Sequence, residues 1–293
     1  MGYVDDATAE TGVGAAIAIA ALISVGLRFC ARHYTHVGFR FDDWLVLASL
    51  IFFITTYIVV VIIGTIYPNG AYVASTRGIK YTPADVLYTR ISFIATAFYF
   101  PITSTTKLPI LLLYNRLFFI RKEFRRQIIV LFIAVIGYGL GTTIANLLNC
   151  IPLKYAWIDN LADPRFCFNY NIFCIATGIT EAVLDLFIII VPIEVKIAVG
   201  SVFLVGIIAI VSGFLKIGYG YIPNSHVPSF GKTAIWTTVH LGIGIICGCL
   251  LVCWPLLVHL GNFPGYGVSV VESAGKASAV GLGYGQETHN QIP

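Results

Sequence analysis

The chain has 293 residues, of which 58% are hydrophobic and only 11% charged, and its mean hydropathy is +0.86. A soluble domain carries roughly 25% charged residues, so there is too little polar surface here to face water, and lipid is the expected solvent for most of the chain. The net charge of +4 is small and implies no nucleic-acid partner.

The first ten residues, MGYVDDATAE, are acidic where a signal peptide would be basic, so no cleaved leader is expected. A spanning helix needs about 20 mostly apolar residues. Seven runs meet that length, at about 12–30, 44–66, 86–115, 127–150, 169–193, 197–217 and 234–258. The expected fold is therefore all-α, a seven-helix transmembrane bundle over 12–260. It is preceded by a short extracellular N-terminus (1–11) and followed by a Gly- and Ser-rich disordered cytoplasmic tail (261–293). The connections are short, and the link around Glu194 and Lys196 is very short.

Lys and Arg in short loops set orientation. The first loop carries Arg28, Arg32 and Arg40, and the third carries Arg116, Arg121, Lys122, Arg125 and Arg126. The opposite loops hold Arg77, Lys80, Lys154, Arg165 and Lys232. The richer side is read as cytoplasmic, which puts the N-terminus outside and the C-terminus inside. Cys150 and Cys167 then bracket an outer loop in an oxidising compartment, where they either form a disulfide or remain two thiols near helix ends. Cys30, Cys174, Cys247, Cys249 and Cys253 lie in or near apolar runs and are read as buried small side chains rather than metal ligands.

Ionisable groups inside a span are costly and are candidate functional residues by default. The third run holds Arg90 and Lys107, the fifth Glu181 and Asp185, and the seventh His240. Lys107 and Asp185 each lie about ten residues from the cytoplasmic end of their helix, which at ~1.5 Å per residue is roughly 15 Å deep. Glu181 is one turn from Asp185 on the same face. The expected arrangement pairs Lys107 with Asp185 and Glu181 with His240 or Arg90, because pairing lowers the cost of burying each charge. Such a cluster either fixes helix packing, lines a ligand pocket or conducts protons.

Three features have ordinary structural readings. Asp42 and Asp43 suit an N-cap at the positive end of a helix dipole, with Trp44 at the membrane interface. Pro101 and Pro109 are expected to kink the third helix beside Lys107. The basic run Arg121 to Arg126 is chiefly a topology signal that also attracts anionic lipid.

A retinal protein needs a Schiff-base lysine in its last helix, and the seventh run has none; Lys216 and Lys232 are placed at helix ends or in a loop. P-loop, HExxH and GxSxG motifs are missing from the sequence. No internal repeat suggests an inverted-repeat transporter.

Several segments together carry a family resemblance. Phe41-Asp42-Asp43-Trp44-Leu45 resembles a "DDW/DDY" opening of helix 2. Lys107 to Phe118, KLPILLLYNRLF, resembles the helix 3 signature K-x-(S/P)-I-L-x-L-Y-x-R-(I/L)-F. Cys150-Ile151-Pro152, Trp157 and Cys167 are similar to a "C-x-P…W…C" outer loop. Asp185 with Val191-Pro192, then Trp236 and Pro255-Leu256-Leu257, match helices 5 and 7. The chain resembles the fungal rhodopsin-domain family, seven-helix membrane proteins that include relatives of fungal surface-sensing receptors and members encoded in secondary-metabolite clusters. It departs from that family where Glu usually stands four residues after the helix 7 Trp and His240 stands here, and in its shorter link between helices 5 and 6.

The resemblance implies a multi-pass protein of the plasma membrane or endomembranes, receptor-like or small-molecule binding, tied to secondary metabolism and not to retinal. No cofactor or metal is expected; the expected partners are the bilayer and a small apolar ligand or metabolite. The candidate ligand-binding residues are Lys107, Glu181, Asp185, Trp236, His240 and Arg90. One alternative is a membrane-embedded biosynthetic enzyme, for example cyclase-like, in which desolvated Glu181 or Asp185 is a general acid. Another is an accessory protein with no ligand.

Overall fold

The computed structural model describes residues 2–34, 38–67, 70–75, 81–117, 122–158, 165–193 and 200–260. In chain order the helices are α1 (Gly2–Tyr34), α2 (Phe41–Ile66), α3 (Gly70–Ser75), α4 (Pro83–Leu117), α5 (Lys122–Leu147), α6 (Tyr155–Ile158), α7 (Tyr170–Ile193), α8 (Gly200–Gly220) and α9 (Phe230–Leu260). The chain divides into a unit Met1–Leu251 and a unit Val252–Pro293, and the packing below is that of the first. The tail 261–293 and the link at Glu194 and Lys196 lie outside the described residues.

Among the described residues, six helical segments are long and apolar enough to cross a membrane: Thr11–Tyr34, Phe41–Ile66, Pro83–Arg116, Lys122–Leu147, Tyr170–Ile190 and Thr233–Leu250. The protein is thus an all-α, polytopic membrane protein. Helix α8, Gly200–Gly220, is apolar too, with Gly206–Gly220 as its fully described stretch. Helix α1 begins at Gly2, so the backbone is already helical across most of the segment expected to precede the first span.

The surface explains why water is the wrong solvent. On α5, Ile129, Ile133, Ile136, Leu140 and Ile144 recur every three or four residues and all face outward. The inward face carries Phe124, Ile128, Leu131, Val135 and Tyr138. A helix apolar on both faces is stable where hydrocarbon covers one of them. Apolar burial supplies little drive between helices in lipid, so close packing matters more. Gly139 of α5 lies so close to the Ser104 side chain of α4 that a Cβ would overlap it, and Gly242 of α9 lies equally close to Ile17 of α1.

Helix α4 runs unbroken through Pro101 and Pro109. Between them, hydroxyls bond back to carbonyls: Thr105 to Pro101 at 2.9 Å and Thr106 to Thr103 at 2.7 Å. Ser49 of α2 adds a 2.8 Å hydrogen bond to Thr105. The hydroxyls of Ser49, Thr105 and Thr106 are thereby satisfied inside the protein, as hydrocarbon requires.

At the opposite end of the bundle from Arg28 and Arg32, Cys150 and Cys167 form a disulfide. The Ile151 N–H donates to Phe166 O at 2.8 Å and the Phe168 N–H donates to Asn149 O at 3.1 Å, tying the end of α5 to the approach to α7. Tyr155 stacks on Phe166 with ring centroids 4.0 Å apart.

Candidate functional site within the bundle

Four helices each contribute one polar stripe to the interior. Tyr99, Thr103 and Lys107 are spaced by four on α4, and Glu181 and Asp185 by four on α7. Ala209, Ser212 and Lys216 share a face of α8, and His240 comes from α9. Spacings of three and four place these groups one above another on their helices.

Glu181 is the hub and is 2% exposed. Its Oε1 lies 3.4 Å from Lys107 Nζ and 3.1 Å from His240 Nε2. Its Oε2 accepts from the Tyr99 hydroxyl and lies 3.1 Å from Lys216 Nζ. Lys216 Nζ also bonds the Tyr99 hydroxyl and sits 4.3 Å from that ring's centroid. Lys107 Nζ makes its shorter contact, 3.0 Å, with Asp185 Oδ1. On the far side of the imidazole, His240 Nδ1 lies 3.0 Å from Ala209 O and 3.2 Å from Ser212 Oγ. The Ala209 carbonyl accepts but cannot donate, so Nδ1 is placed to donate on that side.

Three basic side chains thus surround two carboxylates. All oxygens but one are engaged: Asp185 Oδ2 is buried without a hydrogen-bond partner, and its nearest cation, His240 Nε2, is 4.0 Å away. Lys107, Asp185 and His240 line a cavity of about 50 Å³. The rest of its wall is mainly apolar and includes Ile110, Ile188 and Leu241, with Thr103 and Thr106 as polar members.

The structure brings Lys107, Glu181, Asp185 and His240 together. Arg90 is elsewhere: its guanidinium sits over the Trp157 ring, 5.7 Å from the centroid, at the disulfide end. Seventeen residues of α4 separate it from Lys107, and at ~1.5 Å per residue the helix carries it out of reach of Glu181. Trp236 is one turn from His240 but stacks on Tyr219 of α8, centroids 6.1 Å apart, and makes none of the cluster's polar contacts.

Two members escaped the sequence reading. Lys216, expected at a helix end, lies within α8, which continues to Gly220; the residue is 8% exposed and its amine is in the cluster. Its position within an apolar run was the available signal. Tyr99 carries no charge, so a census of ionisable groups passes over it; its spacing of eight from Lys107 was the clue.

A second polar centre lies nearer the other end. Arg28 Nη2 is 2.7 Å from Asp42 Oδ2, and Arg28 Nε is 2.7 Å from Asp43 Oδ1. Arg32 Nη2 reaches Asp42 Oδ2 at 2.8 Å, and Arg116 Nη2 reaches Asp42 Oδ1 at 2.9 Å. Arg40, not an aspartate, is the N-cap of α2; Asp43 stands at the third helical position and its Oδ2 accepts the Arg40 N–H at 2.9 Å. That contact is the smaller part of what these aspartates do, since both are 0% exposed. Arg28 and Arg32, read as loop charges, are instead buried residues of α1, and Arg28 Nη1 also donates to Gly248 O of α9 at 2.9 Å. Their spacing of four was the sign that one helix face carries both.

Among the described residues, no three His, Cys, Asp or Glu are grouped as metal ligands would be.

Fold and interior together define a multi-pass α-helical membrane protein with a charged centre enclosed by its helices. The sequence pattern of the fungal rhodopsin domain matches residues 27–259, and the chain belongs to that family. It is 24% identical over 273 residues to "Polyenoic acids biosynthesis gene cluster protein Ba17b" of Metarhizium anisopliae, covering 82% of this chain and 71% of that one. It is 27% identical over 238 residues to "Wortmanamides biosynthesis cluster protein C" of Talaromyces wortmannii, covering 77% of this chain and 64% of that one. No solved structure matches.

Proposed function

We propose that this protein is a receptor-like, small-molecule-binding membrane protein serving secondary metabolism, and that its ligand enters the cavity beside Lys107, Asp185 and His240. The membrane setting and the kinship to biosynthetic-cluster proteins rest on the family match and the two relatives. We take α8 as the seventh span and keep the N-terminus outside, as the excess of Lys and Arg at the Arg28 and Arg32 end of the helices suggests.

The observation that carries the reading is Asp185 Oδ2, a buried acceptor without a donor at the edge of a cavity. An unmet buried polar atom costs about 1–3 kcal/mol, more when charged, and a hydroxyl or amine brought by a ligand would recover that energy. The apolar wall suits the body of a lipophilic metabolite. The cavity of about 50 Å³ has room for a few waters or one small polar group, so a larger ligand requires the helices that line it to part.

The enzymatic alternative draws less support. A general acid must hold a proton to give. Both Glu181 oxygens are occupied by Lys107, His240, Tyr99 and Lys216, so neither is free to hand a proton to a substrate. Asp185 is the only carboxylate here with an oxygen left for chemistry or binding.

The test is retention of metabolites. The purified wild-type protein and Asp185→Asn are incubated with a lipophilic extract of the source fungus, washed, and the bound compounds identified by mass spectrometry. A compound held by the wild type and lost from the variant supports the reading. Identical retention by both proteins excludes this cavity as the site.

A further inference from the structure

The disulfide end holds a second cavity, of about 30 Å³, that none of the preceding contacts uses. It lies between α4, the end of α5 and the starts of α7 and α9, and its lining includes Asn149, Ser92, Tyr88, Phe93, Tyr170 and Phe230. Asn149 is 2% exposed, and neither its amide nitrogen nor its amide oxygen has a hydrogen-bond partner. Buried side-chain amides almost always have partners. An amide with both ends unmet on a cavity wall is a vacancy for a group with the complementary pair.

The backbone holds that amide firmly. Asn149 precedes the disulfide at Cys150, and its carbonyl accepts the Phe168 N–H at 3.1 Å. Ala156, from the loop that the disulfide closes, forms part of the same wall. A rigid first contact lowers the ordering cost of binding. The aromatic rings offer flat apolar faces to a planar guest.

We propose that this cavity is a separate ligand site that takes the neutral carboxamide head of an aromatic or conjugated molecule. The guest's N–H donates to the Asn149 amide oxygen while the Asn149 amide N–H donates to the guest's carbonyl, closing a two-bond ring. A carboxylate is disfavoured because it has no donor for the Asn149 oxygen and the lining residues carry no charge to offset its own. The small volume accommodates the head group, and the remainder of the molecule lies toward the open side.

Benzamide is the probe, with benzoate and toluene as comparisons, on the full chain in nanodiscs by saturation-transfer NMR. Benzamide is expected to bind at least tenfold more tightly than either comparison. Asn149→Leu removes both hydrogen bonds while relieving the unmet amide, so it should fold at least as well and bind benzamide at least tenfold more weakly. Ser92→Phe fills the cavity and should abolish the signal. Asp185→Asn should leave benzamide binding unchanged, which separates this site from the central one. Unaltered binding in Asn149→Leu or Ser92→Phe, or loss of binding in Asp185→Asn, overturns the proposal. So does a wild-type protein indifferent to benzamide, in which waters alone satisfy Asn149.

Discussion

The bundle contains two buried charge centres built on different terms. Near the arginine end, the four carboxylate oxygens of Asp42 and Asp43 each have a nitrogen within 2.9 Å, three from guanidinium groups and one from a backbone amide, although the Arg116 contact to Asp42 Oδ1 is an ion pair without hydrogen-bond geometry. In the middle, point-charge ammonium groups surround Glu181, and Asp185 keeps one oxygen unmet beside a cavity. Planar guanidinium forks hold carboxylates in a fixed geometry, whereas flexible lysine stems leave room for rearrangement. The first centre joins α1, α2 and α4, with a bond to α9, and has the character of a clamp. The second has the character of a site.

That contrast predicts a graded set of outcomes. Asp43→Asn breaks a saturated pair and strands part of Arg28, which should cost about 3–5 kcal/mol. The variant is expected to give little monodisperse protein on detergent gel filtration; a wild-type elution profile would break the distinction outright. Glu181→Gln leaves three basic side chains around one carboxylate and should cost about 3 kcal/mol. A thermal unfolding midpoint near that of the wild type would mean that Glu181 is not the hub.

Asp185→Asn is expected to be milder, about 1 kcal/mol, because an oxygen still faces Lys107 and Glu181 still balances it. The sharper comparison is between properties: ligand retention should fall while the unfolding midpoint barely moves. If stability fell as far as in Glu181→Gln, Asp185 would belong to the scaffold and not to a site. Arg90→Ala should have the smallest effect, about 0.5–1 kcal/mol from the lost contact with Trp157. Metabolite retention at the central cavity should be unaffected, and a measurable loss there would restore Arg90 to the site.

Much of the central cluster was legible in the chain. Lys107, Glu181, Asp185 and His240 are conspicuous because ionisable residues in apolar runs are rare. Pairing of Lys107 with Asp185 and of Glu181 with His240 followed from estimated depth, because helical rise converts position into height. Depth has no azimuth, however. Trp236 shares the height of its neighbour His240 yet turns to Tyr219, and the Arg28 and Arg32 side chains, counted as loop charges, turn inward to Asp42 and Asp43.

Apolar run length alone determined that this chain is a bundle of membrane helices, because hydrocarbon thickness imposes a minimum length that periodicity cannot disguise. Composition determined that its surface is apolar, and the isolated charges marked the interior. Only the tertiary structure decided which charges meet, that Lys216 and Tyr99 complete the cluster, and that Asp185 and Asn149 keep unmet polar atoms beside cavities. Those facts depend on the rotation of each helix about its own axis. Packing between distant segments sets that rotation, and no local stretch of sequence encodes it.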